Sequence, residues 1–421
     1  MKVIKSKGGY FYKIYKNGKK KRISKDDYTK LKSKSKKLKV KPKKNKIKSK
    51  VKKHILKGGN LLKEISSLIK KSNDKMQGCY AHFSDIDSKL KKNKMIGQGS
   101  FSHVYKAELL EEGEGIFGSK LRKGDTVAVK IMKQTADQQA SEIINEVRIA
   151  LELTGHPCMP ITYGLFTSDK GLFTSDKEVG IIMECLEDDY KDFSTYLKRE
   201  FADLTNQNKY VMIYQLLHAV KFLSDKGVMH RDLKPENMLI HPATLRLKVV
   251  DFGFSTTNET TYVTSGNLRY IHPILYEGKE QNRRIDVWSL GIVICEILQG
   301  ARPFEVHELA NLKRQEYYGN EAVRDYIKRI LTDEFFADTS VDETLINMIQ
   351  MMLDNNLTEP YSTHAMTIEA ICKDDKPWIT FLKEQIKILS DASSPIGFCV
   401  VNGDKVTIPN KVTIPNNNED V

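Results

Sequence analysis

His230-Arg231-Asp232-Leu233-Lys234-Pro235-Glu236-Asn237, followed fourteen positions after Asn237 by Asp251-Phe252-Gly253, is the stretch on which the reading of this 421-residue chain turns. It gathers a carboxylate (Asp232), an ammonium (Lys234) and a carboxamide (Asn237), and Asp251 adds a second carboxylate. Side-chain oxygens of the Asn237 and Asp251 kind suit a hard divalent cation. A carboxylate two residues before a lysine suits a hydroxyl that must lose its proton beside a transferring phosphate. Either tripeptide alone is weak evidence. The whole run at this spacing is specific.

The segment resembles the catalytic loop and metal-binding loop of eukaryotic-type protein kinases, which read His-Arg-Asp-Leu, then Asn, then Asp-Phe-Gly. The resemblance implies roles. Asp232 accepts or orients the hydroxyl proton, Lys234 sets a cation by the phosphate, and Asn237 and Asp251 ligate Mg²⁺. Lys234 is similar to the serine/threonine branch, since tyrosine kinases usually carry an arginine-containing loop.

Upstream, Ile96-Gly97-Gln98-Gly99-Ser100-Phe101-Ser102-His103-Val104 reads as strand, glycine turn, strand, where backbone N–H groups can approach phosphates without a Cβ in the way. In the family such a loop covers ATP, and Ser102 stands where a third glycine is usual. The alternation in Thr126-Val127-Ala128-Val129-Lys130-Ile131-Met132 is that of a strand and resembles the Val-Ala-Ile-Lys motif. Lys130 is thereby the expected phosphate-pairing lysine. Its acidic partner is sought on the next helix, where Ile143, Val147 and Ala150 share a face; Glu146 is preferred over Glu142. The strand Glu178–Leu186 resembles the last strand of the small lobe and the hinge. There Met183 would back the adenine pocket, the backbone of Glu184 and Leu186 would meet adenine, and Asp189 could reach the ribose.

Beyond the metal-binding loop, Ser265–Ile274 resembles the substrate-positioning loop, with departures. Ile274 replaces a glutamate that usually pairs with an arginine, and residues 340 to 380 hold no arginine. Losing both partners avoids stranding one charge. Asn267 replaces the threonine that faces the catalytic aspartate. Asp286-Val287-Trp288-Ser289-Leu290-Gly291 fits the start of the central helix, with Asp286 expected on backbone amides of the catalytic loop. Arg231 suits a segment ordered by phosphate, with Thr256, Thr257, Thr260, Thr261, Thr264 and Ser265 as acceptors; a threonine-rich loop without regulation is the plain alternative.

Charge is uneven. Residues 1–57 hold 25 Lys and Arg against two acidic residues, net +23; with the whole chain at +14, residues 58–421 carry −9. Tyr10–Ile23 interleaves aromatic and basic residues around Asn17-Gly18, the pattern of a short hairpin. Lys30–Lys53 is a Lys/Ser tract expected to be disordered. Such an arm is expected to bind nucleic acid or another polyanion, a solvated tail being the alternative. Its Gly-Gly-Tyr-Phe-Tyr-Lys opening resembles N-terminal segments of large-DNA-virus proteins, which implies infected-cell cytoplasm or virion. Asn60 is placed to cap a helix with Leu61, Leu62, Ile65, Leu68 and Ile69 on one face. Gly164–Lys170 recurs as Gly171–Lys177, and Lys405–Asn410 as Lys411–Asn416. No apolar run reaches membrane-span length, and the six cysteines lack metal-ligand spacing, so a soluble, intracellular, reduced protein is expected.

These readings combine into an α+β, bilobal fold: a β-rich small lobe over 88–185, a mainly helical large lobe over 186–385, an arm over 1–57, a helix and linker over 58–87, and a polar tail over 386–421. The expected activity is transfer of the γ-phosphate of ATP, with Mg²⁺, to protein Ser/Thr hydroxyls. Two other classes stand beside it. One is a pseudokinase or scaffold acting through the arm, which the intact Lys130, Asp232, Asn237 and Asp251 oppose. The other is a kinase of small molecules or lipids.

Overall fold

The computed structural model describes residues 2–5, 11–14, 20–23, 81–83, 90–99, 102–110, 121–132, 140–168, 178–262, 265–267, 269–272, 280–303, 329–337, 340–353, 367–391, 400–402 and 405–407. Met1–Ile55 and Leu56–Val421 form two units. In the first, β1 (Lys2–Lys5), β2 (Phe11–Ile14) and β3 (Lys20–Ile23) make an antiparallel sheet in that order. β2 and β3 pair from Phe11↔Ile23 to Ile14↔Lys20. Strand β1 has no counterpart in the sequence reading. The Lys30–Lys53 tract and the helix expected after Asn60 lie outside the described residues.

The second unit opens with a six-stranded sheet of β4 (Ala81–Phe83), β5 (Leu90–Gln98), β6 (Ser102–Leu109), β7 (Thr126–Met132), β8 (Thr162–Ser168) and β9 (Glu178–Glu184), ordered β4-β8-β9-β7-β6-β5. β4 pairs parallel to β8 and the other neighbours are antiparallel. The sheet therefore begins before residue 88, where the domain was expected to start. Alternation along β7 does the positioning. Val127, Val129 and Ile131 bury with Tyr105, Ala107, Leu109 and Ile182, while Met132 meets Ile143, Val147 and Leu151 of α1 (Ala140–Glu152) on the other face. Lys130 shares the face turned to α1. The tandem repeat from Gly164 falls on β8 and the connection to β9, whose residues 169–177 are outside the described set.

Helices build the rest: α2 (Phe193–Glu200), α3 (Asn206–Asp225), α4 (Arg284–Gln299), α5 (Glu343–Leu353), α6 (Ile368–Ile371) and α7 (Pro377–Asp391). α3 starts at a capping box in which Thr205 and Asn208 satisfy each other's amides. α4 is buried along most of its length, with Val287, Trp288, Leu290, Ile292, Val293 and Ile294 packed among α3 and α5 residues such as Leu216 and Met348. It ends at Gly300, left-handed at φ 72°, whose N–H donates to the Glu296 carbonyl at 2.8 Å. α7 runs past residue 385, and β13 (Val400–Asn402) pairs antiparallel with β14 (Lys405–Thr407) in the stretch read as a tail.

A small sheet joins this body to the catalytic residues. β10 (Lys191–Asp192), β11 (Met238–His241) and β12 (Arg246–Val249) pair in that order, with Asn237 just before β11 and Asp251 just after β12. The Val250 N–H donates to the Asn237 carbonyl at 2.9 Å, so the fourteen-residue spacing is the length of one closed hairpin. Among the described residues no helix is long and apolar enough to cross a membrane.

Candidate active site

The catalytic loop is held in a conformation the chain would not choose alone. Arg231 and Asp251 have φ of 67° and 63°, the left-handed region, which costs a non-glycine residue about 1–2 kcal/mol. Asp286, buried in the first turn of α4, offsets this by accepting His230 N–H at 2.7 Å and Arg231 N–H at 2.9 Å. Burial pushes the Asp286 carboxyl up, against the pull of His230 and those amides. Burial lowers the His230 imidazole, whose Nδ1 accepts the Asp232 N–H at 3.3 Å. Asp232, itself buried, has every direction fixed: Oδ2 lies 2.7 Å from Lys234 Nζ and 2.8 Å from Asn237 Nδ2, and Oδ1 accepts the Asn267 N–H at 2.8 Å. Asn267 thus reaches Asp232 through its backbone, while its side-chain Oδ1 accepts Arg269 N–H. Gly266 makes that approach possible. It sits at φ +102°, and a Cβ there would lie 2.3 Å from the Arg231 carbonyl oxygen.

The second cluster joins sheet, helix and hairpin. Lys130 Nζ is 2.6 Å from Glu146 Oε1 and 3.2 Å from Asp251 Oδ1, with Glu142 left exposed. Burial alone would depress the Lys130 ammonium, but the two carboxylates outweigh it and hold it above its ordinary value. Lys130 in turn is the main reason the Asp251 carboxyl is depressed and stays ionised. For a divalent cation, Asn237 and Asp251 offer hard oxygen donors. Asn237 Nδ2 is engaged by Asp232, which fixes the amide so that its oxygen is the atom left to ligate. Among the described residues no group of three or more His, Cys, Asp or Glu could hold an ion; a pair of oxygens that shares the ion with phosphates and water fits how magnesium is bound.

This geometry agrees with the comparisons. The protein kinase domain family matches residues 90–373. The chain belongs to the eukaryotic-type serine/threonine protein kinases. It is similar to the serine/threonine-protein kinase Aurora-2 of Arabidopsis thaliana, 33% identical over 68% of this chain and 88% of that one. It is similar to Aurora-1 of the same plant, 32% identical over 53% of this chain and 69% of that one. An Aurora kinase of Dictyostelium discoideum is 30% identical over 57% of this chain, which spans 60% of that protein's length. The family implies ATP, a divalent metal and protein substrates, and the sheet and helical parts are the two lobes of its fold.

At the nucleotide end of the kinase, β5 and β6 bring Gly97 opposite Val104 and Gln98 opposite His103, and Gly99 N–H donates to the Ser102 carbonyl at 2.9 Å. Ile96 lies on β5; Ser100 and Phe101 lie outside the described residues, as does Ile274. Of the hinge pair, Leu186 is buried. Glu184 is more engaged than its sequence reading suggests: its N–H donates to the Ile161 carbonyl at 2.8 Å, and its Oε2 lies 2.8 Å from Lys248 Nζ, which also donates to the Met159 carbonyl. At most its carbonyl is left for adenine. Asp189 is exposed, and its neighbour Asp188 is the one tied to the sheet, by Lys106 at 2.6 Å.

Two positioning groups escaped the sequence reading. Lys248, buried on β12, clamps the hinge to the large lobe. Arg148 on α1 donates through Nη2 to Asn145 Oδ1 at 2.8 Å and Thr257 Oγ1 at 3.0 Å, while Asn145 Nδ2 donates to the Ser255 carbonyl at 2.8 Å. The helix that carries Glu146 is thereby laced to the segment after Gly253. A basic residue two places after Glu146 and a threonine four after Gly253 are the only sequence signal of this.

Proposed function

We propose that the kinase transfers the γ-phosphate of Mg²⁺-bound ATP to serine or threonine hydroxyls of proteins, with Asp232 receiving or orienting the acceptor proton. The observation that carries this is the buried Asp232 carboxylate, aimed by Lys234, Asn237 and Asn267 N–H at 2.7–2.8 Å. Such fixed geometry is where phosphoryl transfer gains its rate. In this reading Lys130, held by Glu146, pairs the phosphates, the strand pair around Gly97 and Gly99 covers them, and Asn237 and Asp251 hold the metal. The metal would neutralise phosphate charge. Lys234, 2.7 Å from Asp232, sets its cation beside the transferring phosphate. The test is phosphate transfer from radiolabelled ATP to a mixed panel of Ser/Thr proteins, wild type beside Asp251→Ala. Transfer by wild type alone supports the reading; silence from both with ATP still bound favours a scaffold.

A second reading concerns the arm. Its net charge of +23 over residues 1–57, nearly all of it within the separate unit Met1–Ile55, supports binding of nucleic acid or another polyanion. Deleting residues 1–57 is expected to abolish salt-sensitive polyanion binding and to leave peptide phosphorylation intact; loss of peptide phosphorylation would instead make the arm part of the catalytic unit.

A further inference from the structure

A cleft of about 420 Å³ opens beside the catalytic loop. Its lining includes Lys198 of α2, Glu236 of the turn Pro235–Asn237, Arg269 and Tyr270, Glu296 near the end of α4, and Arg302 just beyond it. Two of its walls start at Asp232. Glu236 follows it by four residues, through an extended Lys234 and into the turn Pro235–Asn237. Tyr270 comes three residues after Asn267, whose N–H donates to Asp232. The cleft therefore begins within about 14 Å of Asp232, the most that four residues span at ~3.3–3.6 Å each, which is the reach of up to four residues of extended peptide at ~3.3 Å each.

What the cleft offers is decided by Glu296. Each of its oxygens lies 3.0 Å from the Tyr270 hydroxyl, which donates to the carboxylate, and Arg302 Nη1 is 3.5 Å from Oε1. Arg302 also lies over the Tyr270 ring, 5.9 Å from its centroid. A lysine or arginine from a substrate would find this carboxylate already taken. Lys198 and Arg269 are exposed and form no ion pair among the described residues, whereas Glu236 is the one exposed carboxylate against them. Among the described residues of the lining, three cations face two carboxylates, so their excess charge is positive.

We propose that this cleft selects a side chain within about four residues of the phosphorylated serine or threonine, that it takes an acidic one, carboxylate or phosphate, and that Arg302 determines this by closing Glu296 to cations. The proposal rests on Asp232 marking the acceptor position. The test is a set of serine peptides with Ala, Glu, phosphoserine or Arg at each flanking position, phosphorylated by the full chain and by Arg302→Ala. Glu and phosphoserine peptides separate a carboxylate requirement from a phosphate one. Wild type is expected to favour the acidic peptides over Arg by roughly fivefold at one of those positions. In Arg302→Ala, with Glu296 uncovered, that ratio is expected to fall to one or below. Because each ratio is taken within one protein, partial loss of folded enzyme cancels. A wild-type preference for Arg, no charge preference at any position, or an unchanged ratio in Arg302→Ala overturns the proposal while leaving the kinase reading standing. Transfer to no peptide, nor to any protein of the mixed panel, overturns both.

Discussion

Lys130–Glu146 on one side of Asp232 and Arg302–Glu296 on the other are both glutamate–cation pairs, yet they are built differently. The first is 2.6 Å long with side chains 11% and 7% exposed; the second is 3.5 Å long, 21% and 14% exposed, and shares its carboxylate with a tyrosine. In a dry, close pair each charge depends on the other, and removing one partner strands the second at a typical cost of about 3–5 kcal/mol. A longer, wetter pair with a third member can exchange partners. The kinase therefore has a rigid pair where the nucleotide must be placed and an exchangeable one where substrates differ.

The rigid side should break hardest. Asp232→Asn is expected to lower kcat by about 10²- to 10⁴-fold if the carboxylate takes the proton, with ATP affinity retained. Lys130→Met should act comparably on kcat/KM and also lower Tm, because Glu146 would be left buried without its cation. Near wild-type turnover for Asp232→Asn would contradict its role.

Next in size is Gly266→Ala. The added methyl must displace the Arg231 carbonyl, and misplacing reacting groups by ~1 Å can cost about 10²-fold. Gly124→Ala is the control, since Gly124 also has positive φ, +89°, but nothing within 4 Å of the new Cβ. If both variants lose stability alike and neither loses kcat, the close approach at Gly266 has no catalytic importance.

A smaller effect is expected at the hinge. Lys248→Met removes the cation from Glu184 and the donor from the Met159 carbonyl. Loss of about 1 kcal/mol of support should raise KM for ATP roughly fivefold, with acceptor preference unchanged. A changed peptide preference at constant KM for ATP would mean that Lys248 does not act through the hinge.

The two sides also differ in how far sequence alone discloses them. His230–Asn237, Asp251 and Lys130 are legible because each lies in a short run whose local backbone makes the geometry, and Glu146 follows from the apolar stripe of one helix. The groups that escape are paired across distance. Lys248 meets Glu184 sixty-four residues away and Lys106 meets Asp188 eighty-two away, with no periodicity to announce either. β4 escapes because three residues in a parallel pairing carry no alternation worth reading. Arg302 and Glu296 are only six apart, but their meeting depends on the turn at Gly300 and on Tyr270, which arrives from another loop.

The smallest effect is a dependence on pH that the two sides should not share. On the nucleotide side the Asp251 carboxyl is depressed by Lys130 and stays charged below the ordinary aspartate range. On the acceptor side burial raises Glu296, against the pull of Tyr270 and Arg302. A carboxyl raised on folding takes up its proton earlier as pH falls, so its contribution to stability is complete at low pH and lost as pH rises through the folded value. Lowering pH from 7 toward roughly 5, still above the ordinary glutamate value near 4.3, should begin to neutralise Glu296 and release Arg302 to the cleft. The rate ratio of a glutamate-flanked to an alanine-flanked peptide, at saturating ATP so that nucleotide ionisation cancels, should then rise about twofold. Glu296→Gln should show the raised ratio already at pH 7 and hold it flat on acidification. If that variant keeps the same pH slope as wild type, the titrating group belongs to the peptide or to another residue, and Glu296 does not tune the acceptor cleft.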